Sequence, residues 1–467
     1  MKRVSTFMKE LFKIIKNNKA WSLLVIVLLL FNVMIVCFFR YADITSFTVW
    51  SVNFWDLLYE GRLEQFYEYA NENVRGAISV MFRGNYFTIF PWIIWNFPIW
   101  ITHYFSGNMD VTTFGCIFWS KLLLIVALCL TSYFSYKICL KITNNSKKTK
   151  WIIPFILGSA EIIISIGYAG QDEIIYIMTF LMAVYFRMIS HNKLALLLEI
   201  MTVTLCPIML MPLLTVYVFY EKKIYIIVGR MLITLVPTLL FTFLYRNNEL
   251  FQSVKNVNIS TNLLPMLNTM GLGTNFGFLS ISTLFLGVVY FICYFLKSQG
   301  KVRERQLCFA LAVTMFIESF LMCNIFYRFC IYIPFFLILI FISENERINV
   351  FLFTILVWIK SVFCVLGNAP QNMNTEYLMP ELVKHFKGVD IKIESLAEKI
   401  GSIDLLVNFQ GVWVAIMFLA VLLLLVINNP FHKVSAEDFS IPVKYSLIAY
   451  YMCFPLIFMA FIFMILH

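Results

Sequence analysis

Charge is scarce in this chain. Only 13% of its 467 residues are Asp, Glu, Lys or Arg, while 61% are apolar. A soluble domain carries about 25% charged and roughly 45–50% apolar residues. The length would suit two or three soluble domains, but half the usual charge leaves too little polar surface to cover their cores. This shortage excludes a soluble globular protein, and the composition excludes a disordered or collagen-like one. Histidine is scarce too, at five residues, and none of the eleven cysteines forms a C-x-x-C pair. The cysteines lie in or beside apolar segments, so they read as small buried hydrophobes rather than zinc ligands or a disulfide framework. The chain lacks a Walker phosphate loop, a G-x-G-x-x-G after a strand, H-E-x-x-H, G-x-S-x-G and any nucleic-acid module. It also shows no internal repeat.

What is present is a series of long apolar runs. A membrane span takes about 20 such residues. Thirteen stretches are candidate spans: 21–39, 113–137, 151–168, 173–189, 194–206, 207–220, 224–245, 276–296, 306–323, 329–342, 348–366, 405–427 and 443–466. The expected fold is therefore an all-α polytopic membrane protein with about 13 transmembrane helices. The basic stretch 1–20 and the absence of a small-residue cleavage site after 21–39 predict a retained first span with a cytoplasmic N-terminus. The fifth and sixth stretches are short and meet at Cys206-Pro207. They suit a pair of half-depth helices packed inside protein.

Segment 87–105 decides the topology. It is long enough to span but contains Pro91 and Pro98. If it does not cross, most of the 36 Lys and Arg fall in inner loops and most of the 26 acids in outer ones. The positive-inside bias favours that interfacial or re-entrant arrangement. It makes four regions external: 40–86, 167–173, 246–275 and 367–404. In the first, Phe47, Trp50, Phe54, Leu57 and Leu58 recur at helical spacing before Gly61, and Leu63, Phe66, Tyr67 and Ala70 repeat the pattern. Asp56, Glu60, Glu64 and Glu68 take the other faces, as expected of amphipathic juxtamembrane helices. The region 246–275, rich in Asn and Gly, suits a mobile loop, and 376–399 suits a polar amphipathic helix.

The few polar residues are the candidates for chemistry. Asp43 follows the first span directly; it reads either as a general base, worth about 10²–10⁴-fold, or as a helix cap. Asp172 and Glu173 are adjacent acids at a helix start, suited to orient a sugar hydroxyl, to hold a cation, or only to favour a helix N-terminus. Arg328 lies at the mouth of the tenth span, where it suits a phosphate diester or lipid headgroups. Lys121, Glu161 and Glu318 lie inside apolar runs, where ionisable groups usually face a cavity or a partner; Lys121 and Glu161 are placed to pair. Glu199 and Lys360 also interrupt apolar runs and receive no role.

Three segments together resemble polytopic glycosyltransferases of the GT-C class, of the bacterial type that uses polyprenyl-phosphate sugars. The first is Asp43 after the first span, followed by paired surface helices and the aromatic stretch Phe87-Thr88-Ile89-Phe90-Pro91-Trp92. The second is Gly170-Gln171-Asp172-Glu173-Ile174-Ile175, in which Glu173 aligns with the family's acid and Asp172 is extra. The third is Tyr327-Arg328 followed by Ile331-Tyr332-Ile333-Pro334-Phe335. Similar proteins often carry a Lys beside the Pro of the short helix pair, where this chain has Cys206-Pro207, so Arg328 or Lys121 would serve the phosphate instead.

The resemblance implies a GT-C-like catalytic module at 1–220, with first external loop 40–86, and a variable module at 221–467, with external loops 246–275 and 367–404. It implies transfer of a sugar, with inversion, from a polyprenyl-phosphate donor to a glycan or glycolipid acceptor on the extracytoplasmic face of the cell membrane. Asp43 would be the base, and Asp172, Glu173, Arg328, Lys121, Gln171 and Trp50 would bind substrate. No cofactor is implied; the adjacent acids leave a divalent cation open, although no D-x-D spacing is present. No nucleic-acid partner is expected. A transporter or flippase of lipid-linked sugars, and a polysaccharide polymerase or ligase, are the alternatives.

Overall fold

The computed structural model describes residues 19–68, 89–107, 109–168, 170–258, 271–274, 277–297, 300–318, 332–343, 349, 351–354, 375–377 and 410–429. Helices dominate them. In order these are α1 (Lys19–Phe38), α2 (Ala42–Tyr59), α3 (Phe90–Trp95), α4 (Phe97–Ser106), α5 (Phe114–Thr143), α6 (Ser146–Thr149), α7 (Ile152–Leu157) and α8 (Ala160–Ile163). Then follow α9 (Glu173–Met188), α10 (Asn192–Leu205), α11 (Leu210–Tyr220), α12 (Ile224–Leu244), α13 (Glu249–Asn258), α14 (Ile281–Phe295), α15 (Gly300–Phe316), α16 (Ile333–Ile342) and α17 (Gln410–Ile427). Two short antiparallel ribbons accompany them. One pairs β1 (Phe39–Tyr41) with β4 (Thr375–Tyr377), and the other pairs β2 (Gly271–Thr274) with β3 (Gly277–Ser280).

Three of these helices are long and apolar enough to cross a membrane: Lys19–Cys37, Phe114–Thr143 and Ile224–Leu244. A pair bent by 45°, Ser146–Leu157 with Glu161–Gly167, makes up to four. Shorter apolar helices are Pro207–Tyr220, Ile281–Phe295, Ile333–Ile342 and Phe418–Ile427. The apolar outer faces fit a lipid surround. Leu23, Ile26, Val27 and Leu30 of α1 are exposed, as are Val228, Leu232, Val236 and Leu239 of α12. Patches of bare apolar side chain on this scale mark a membrane or partner surface.

α5 is the axis of the bundle. Its thirty residues reach about 45 Å. Helices α1, α2, α7, α9 and α16 pack against it. All ten residues of α16 are buried, as expected where apolar residues surround a helix on every side. α5 runs six residues beyond the expected span 113–137 and stops where Asn144 turns left-handed at φ 58°. Asn145 then starts α6 by accepting hydrogen bonds from the Lys147 and Lys148 amides.

The segment 87–105 forms no single spanning helix. It is broken at Asn96 into α3 and α4, each with a proline in its first turn. The ten residues of α4 reach about 15 Å, half a hydrocarbon core. Both helices lie against α2, with Trp92 stacked on Phe47 at 4.3 Å. The expected break at Cys206-Pro207 is also present. Cys206 is extended, a 3-10 turn covers Pro207–Met209, and α10 and α11 are each too short to cross.

Other expectations need correction. The helix expected over 47–58 begins at Ala42, and Leu58 is exposed rather than on the buried stripe of Phe47, Trp50 and Leu57. The second amphipathic helix begins as a 3-10 turn at Leu63–Gln65 and continues helical through Glu68 with Phe66 and Tyr67 buried, and Ala70 lies outside the described residues. The loop expected over 246–275 carries α13 and β2. The helix expected over 376–399 starts instead as strand β4, and the rest of it lies outside the described residues.

Glu199, left without a role by the sequence, has a structural one. Its carboxylate is buried, paired with Arg187 at the end of α9, and accepts from the Tyr217 hydroxyl at 3.0 Å. Removing one partner of such a pair strands the other charge, at a typical cost of about 3–5 kcal/mol. Glu199→Leu should therefore lower the unfolding midpoint in detergent sharply. Arg187→Met added to it should recover much of the loss, and an unshifted Glu199→Leu midpoint would show that the pair holds nothing.

Candidate functional site

The site begins where α1 ends. The chain leaves α1 through β1, whose Phe39, Arg40 and Tyr41 pair with Tyr377, Glu376 and Thr375 of β4. This brings residues 375–377 of the late segment 367–404 beside the residues that lead into α2. Asp43 is half-buried in the first turn of α2. It stands inside the helix rather than at the capping position. A carboxylate there is favoured by the unpaired amides and the positive end of the helix dipole.

The second component is the turn that leads into α9. After α8 the backbone widens into a π turn over Ile164–Tyr168. Gly167 lies within this turn, where a Cβ would come 2.5 Å from Ile35 Cγ2 of α1 and force a neighbour to shift. Gly170 adopts φ +59°, which favours glycine, and a Cβ on it would lie 3.2 Å from Ile44 Cβ of α2. The Gln171 amide N–H donates to Ser165 O at 3.0 Å. The turn is thus pressed against the end of α1 and the start of α2. From it, Gln171 Nε2 donates to Asp43 Oδ2 at 2.8 Å. Asp172 is the N-cap residue of α9, but its side chain makes no capping bond, and Glu173 opens the helix. Gln171, Asp172 and Glu173 are all buried.

Two further groups reach this stretch. Lys121 Nζ of α5, fully buried, donates to Gly167 O at 2.5 Å. The Tyr332 hydroxyl, at the start of α16, lies 2.9 Å from each carboxylate oxygen of Glu161. The turn therefore meets Lys121 at one end and Asp43 at the other. Trp50 is buried within α2, edge-on to Phe47, and its indole N–H finds no hydrogen-bond partner among the described residues. Arg328 lies outside the described residues. Among the described residues no group of three or more His, Cys, Asp or Glu stands together as a metal site.

Sequence reasoning missed the uncharged groups. A buried row of hydrogen bonds joins Thr48 to Ser120 at 2.8 Å, Ser120 to Asn96 at 3.0 Å, and Asn96 to Ser51 at 2.9 Å. It ties α2 and the α3–α4 break to α5, about one and a half to two turns along from Asp43. Asn96 between two prolines was the one available signal. Tyr332 gave none, because it sits in an aromatic apolar run like many others here.

Asp56, further along α2, is half-buried and accepts from Trp100 Nε1 at 2.8 Å. Burial pushes its carboxyl above the ordinary 3.8, with the Trp100 bond and His103 pulling it back and Glu60 adding to the rise. Comparison with protein-family models, with curated proteins and with solved structures gives no match.

Two outcomes follow. Gly167→Ala forces a methyl against the buried, branched Ile35, and overpacking of this kind costs typically about 1–3 kcal/mol. Its melting temperature in detergent should fall, and an unchanged value would refute the close approach. Asp56→Asn keeps an acceptor for Trp100 and removes a charge whose folded pKa is raised. A raised carboxyl disfavours the fold once ionised, above that pKa, and the effect is lost as pH falls through it. Asp56→Asn should therefore melt at or above the parent at about pH 8, with the difference gone at about pH 4. A variant less stable at the higher pH would contradict this.

Proposed function

We propose that the protein is a membrane glycosyltransferase of GT-C type. In this reading it moves a sugar from a polyprenyl-phosphate donor to a glycan or glycolipid acceptor on the extracytoplasmic face. The observation that carries the reading is the hydrogen bond from Gln171 to Asp43, 128 positions apart in sequence. It joins the two acid-bearing segments that the family resemblance singles out, the end of the first span and the Gly-Gln-Asp-Glu turn. The strand pairing of Arg40 with Glu376 adds the late segment at the same end of α1.

In the reaction, the acceptor hydroxyl oxygen attacks the anomeric carbon and its proton passes to Asp43. The bond from that carbon to the phosphate oxygen breaks, polyprenyl phosphate leaves with the electron pair, and the anomeric configuration inverts. A cation at the leaving phosphate would stabilise the charge that develops there. Arg328 takes that role in this reading, since Lys121 is buried against the Gly167 carbonyl. Asp172 and Glu173 orient the sugar, and a divalent cation would add to that orientation if bound. The proposal includes about thirteen spans, a cytoplasmic N-terminus and a cell-membrane location.

The test is turnover in vesicles. Synthetic polyprenyl-phosphate glucose, mannose, N-acetylglucosamine and arabinose serve as donor probes, with extracted membrane glycolipids as acceptor, and released polyprenyl phosphate is measured. Asp43→Asn keeps the shape but not the basicity, so the rate should fall about 10²–10⁴-fold with the protein still folded. Parent-like turnover in Asp43→Asn would remove the base, and a parent inert toward every donor would remove the reading.

A further inference from the structure

We infer that Gln171 is a positioning residue that sets the aim of the Asp43 carboxylate, not a group that touches substrate. The inference rests on the reading of Asp43 as the base and assigns Gln171 a different task from the substrate contact expected of it. Gln171 is only 1% exposed, whereas Asp43 is half-buried, so the glutamine stands behind the carboxylate on its protein side. The amide hydrogen bond at 2.8 Å to Oδ2 restrains the rotation of the carboxylate and so bears on the direction of Oδ1. A neutral donor suits this task. A lysine or arginine in its place would pair with the base, while an amide orients it and leaves its charge intact. Lys121 Nζ donates to the Gly167 carbonyl of the same turn.

The turn also gives Gln171 little freedom to drift. Its own N–H is bonded to Ser165 O at 3.0 Å. The preceding Gly170 is held in the left-handed region, 3.2 Å from the Ile44 side chain at its ideal Cβ. Ile44 is the residue next to Asp43, so donor and acceptor are fixed to the same packed contact. Sub-ångström control of this kind matters to rate, since about 1 Å of misplacement costs on the order of 10²-fold.

The experiment is a double-mutant cycle in the vesicle assay, with the best of the four donor probes. Gln171→Met preserves length and removes the donor. It should lower kcat roughly 10–100-fold with donor KM unchanged and the melting temperature close to that of the parent. In the Asp43→Asn background the same change should cost almost nothing further, because its effect passes through Asp43. Gln171→Asn, which keeps a buried amide one methylene shorter, should fall between the parent and Gln171→Met, and it reads the same cycle if the Met variant does not fold. A rise in KM alone would make Gln171 a substrate contact. A loss that adds fully to Asp43→Asn would make it independent of the base. Either result overturns the inference while the glycosyltransferase reading stands. Parent-like activity of Asp43→Asn overturns both.

Discussion

A polar group inside an apolar bundle must find its partner within the protein, because there is no water to supply one. Four such bonds converge on one stretch of this chain, residues 157–171. Asn32 of α1 donates to Leu157 O at 2.8 Å, and Tyr332 of α16 bonds Glu161. Lys121 of α5 donates to Gly167 O, and Gln171 bonds Asp43 of α2. Four helices are thus tied to a single irregular segment. Two of the bonds satisfy backbone carbonyls at the ends of broken helical turns, where the regular ladder cannot.

This explains why the backbone is able to break there. Ser146–Leu157 and Glu161–Gly167 form a pair bent by 45°, the second member running into the π turn, and the left-handed Gly170 comes after it. Such irregularity costs little when side chains re-satisfy the freed groups and the segment is covered by protein. The result is a turn that lies at the N-terminus of two helices at once, α2 and α9. Both starts carry acids, Asp43 in one and Asp172 and Glu173 in the other. In the proposed function, scarce charge is gathered at one end of the bundle, where the Gln171–Asp43 hydrogen bond joins the two helix starts.

The positions of the acids were legible in the sequence, because in so apolar a chain any carboxylate is conspicuous. The breaks at Cys206-Pro207 and between Pro91 and Pro98 were legible for the same reason: proline punctuates apolar runs. The partners were not. Lys121 and Glu161 were placed toward the outer half of their spans, but the Gly167 carbonyl and the Tyr332 hydroxyl that they meet had no signal of their own. Depth in a span says nothing about which way a side chain turns. Glu199 was noticed but received no role, because its partner Arg187 lies on the preceding helix, α9, and periodicity does not say which faces of α9 and α10 meet. Gly167 showed nothing special in sequence, and only the packing of Ile35 against it reveals why it is small. The strand β4 was read as helix because three residues cannot announce a pairing with β1 far upstream.

The central claim is that the turn before α9 sits on the start of α2, so that residues 43 and 171 face each other. Asp43→Cys and Gln171→Cys in one chain, treated in membranes with a short bifunctional thiol cross-linker, test it most directly. Peptide mass spectrometry separates their product from links to the eleven native cysteines. A dominant 43–171 link is the expected result. Efficient labelling of each position alone, with no 43–171 link, would contradict the account.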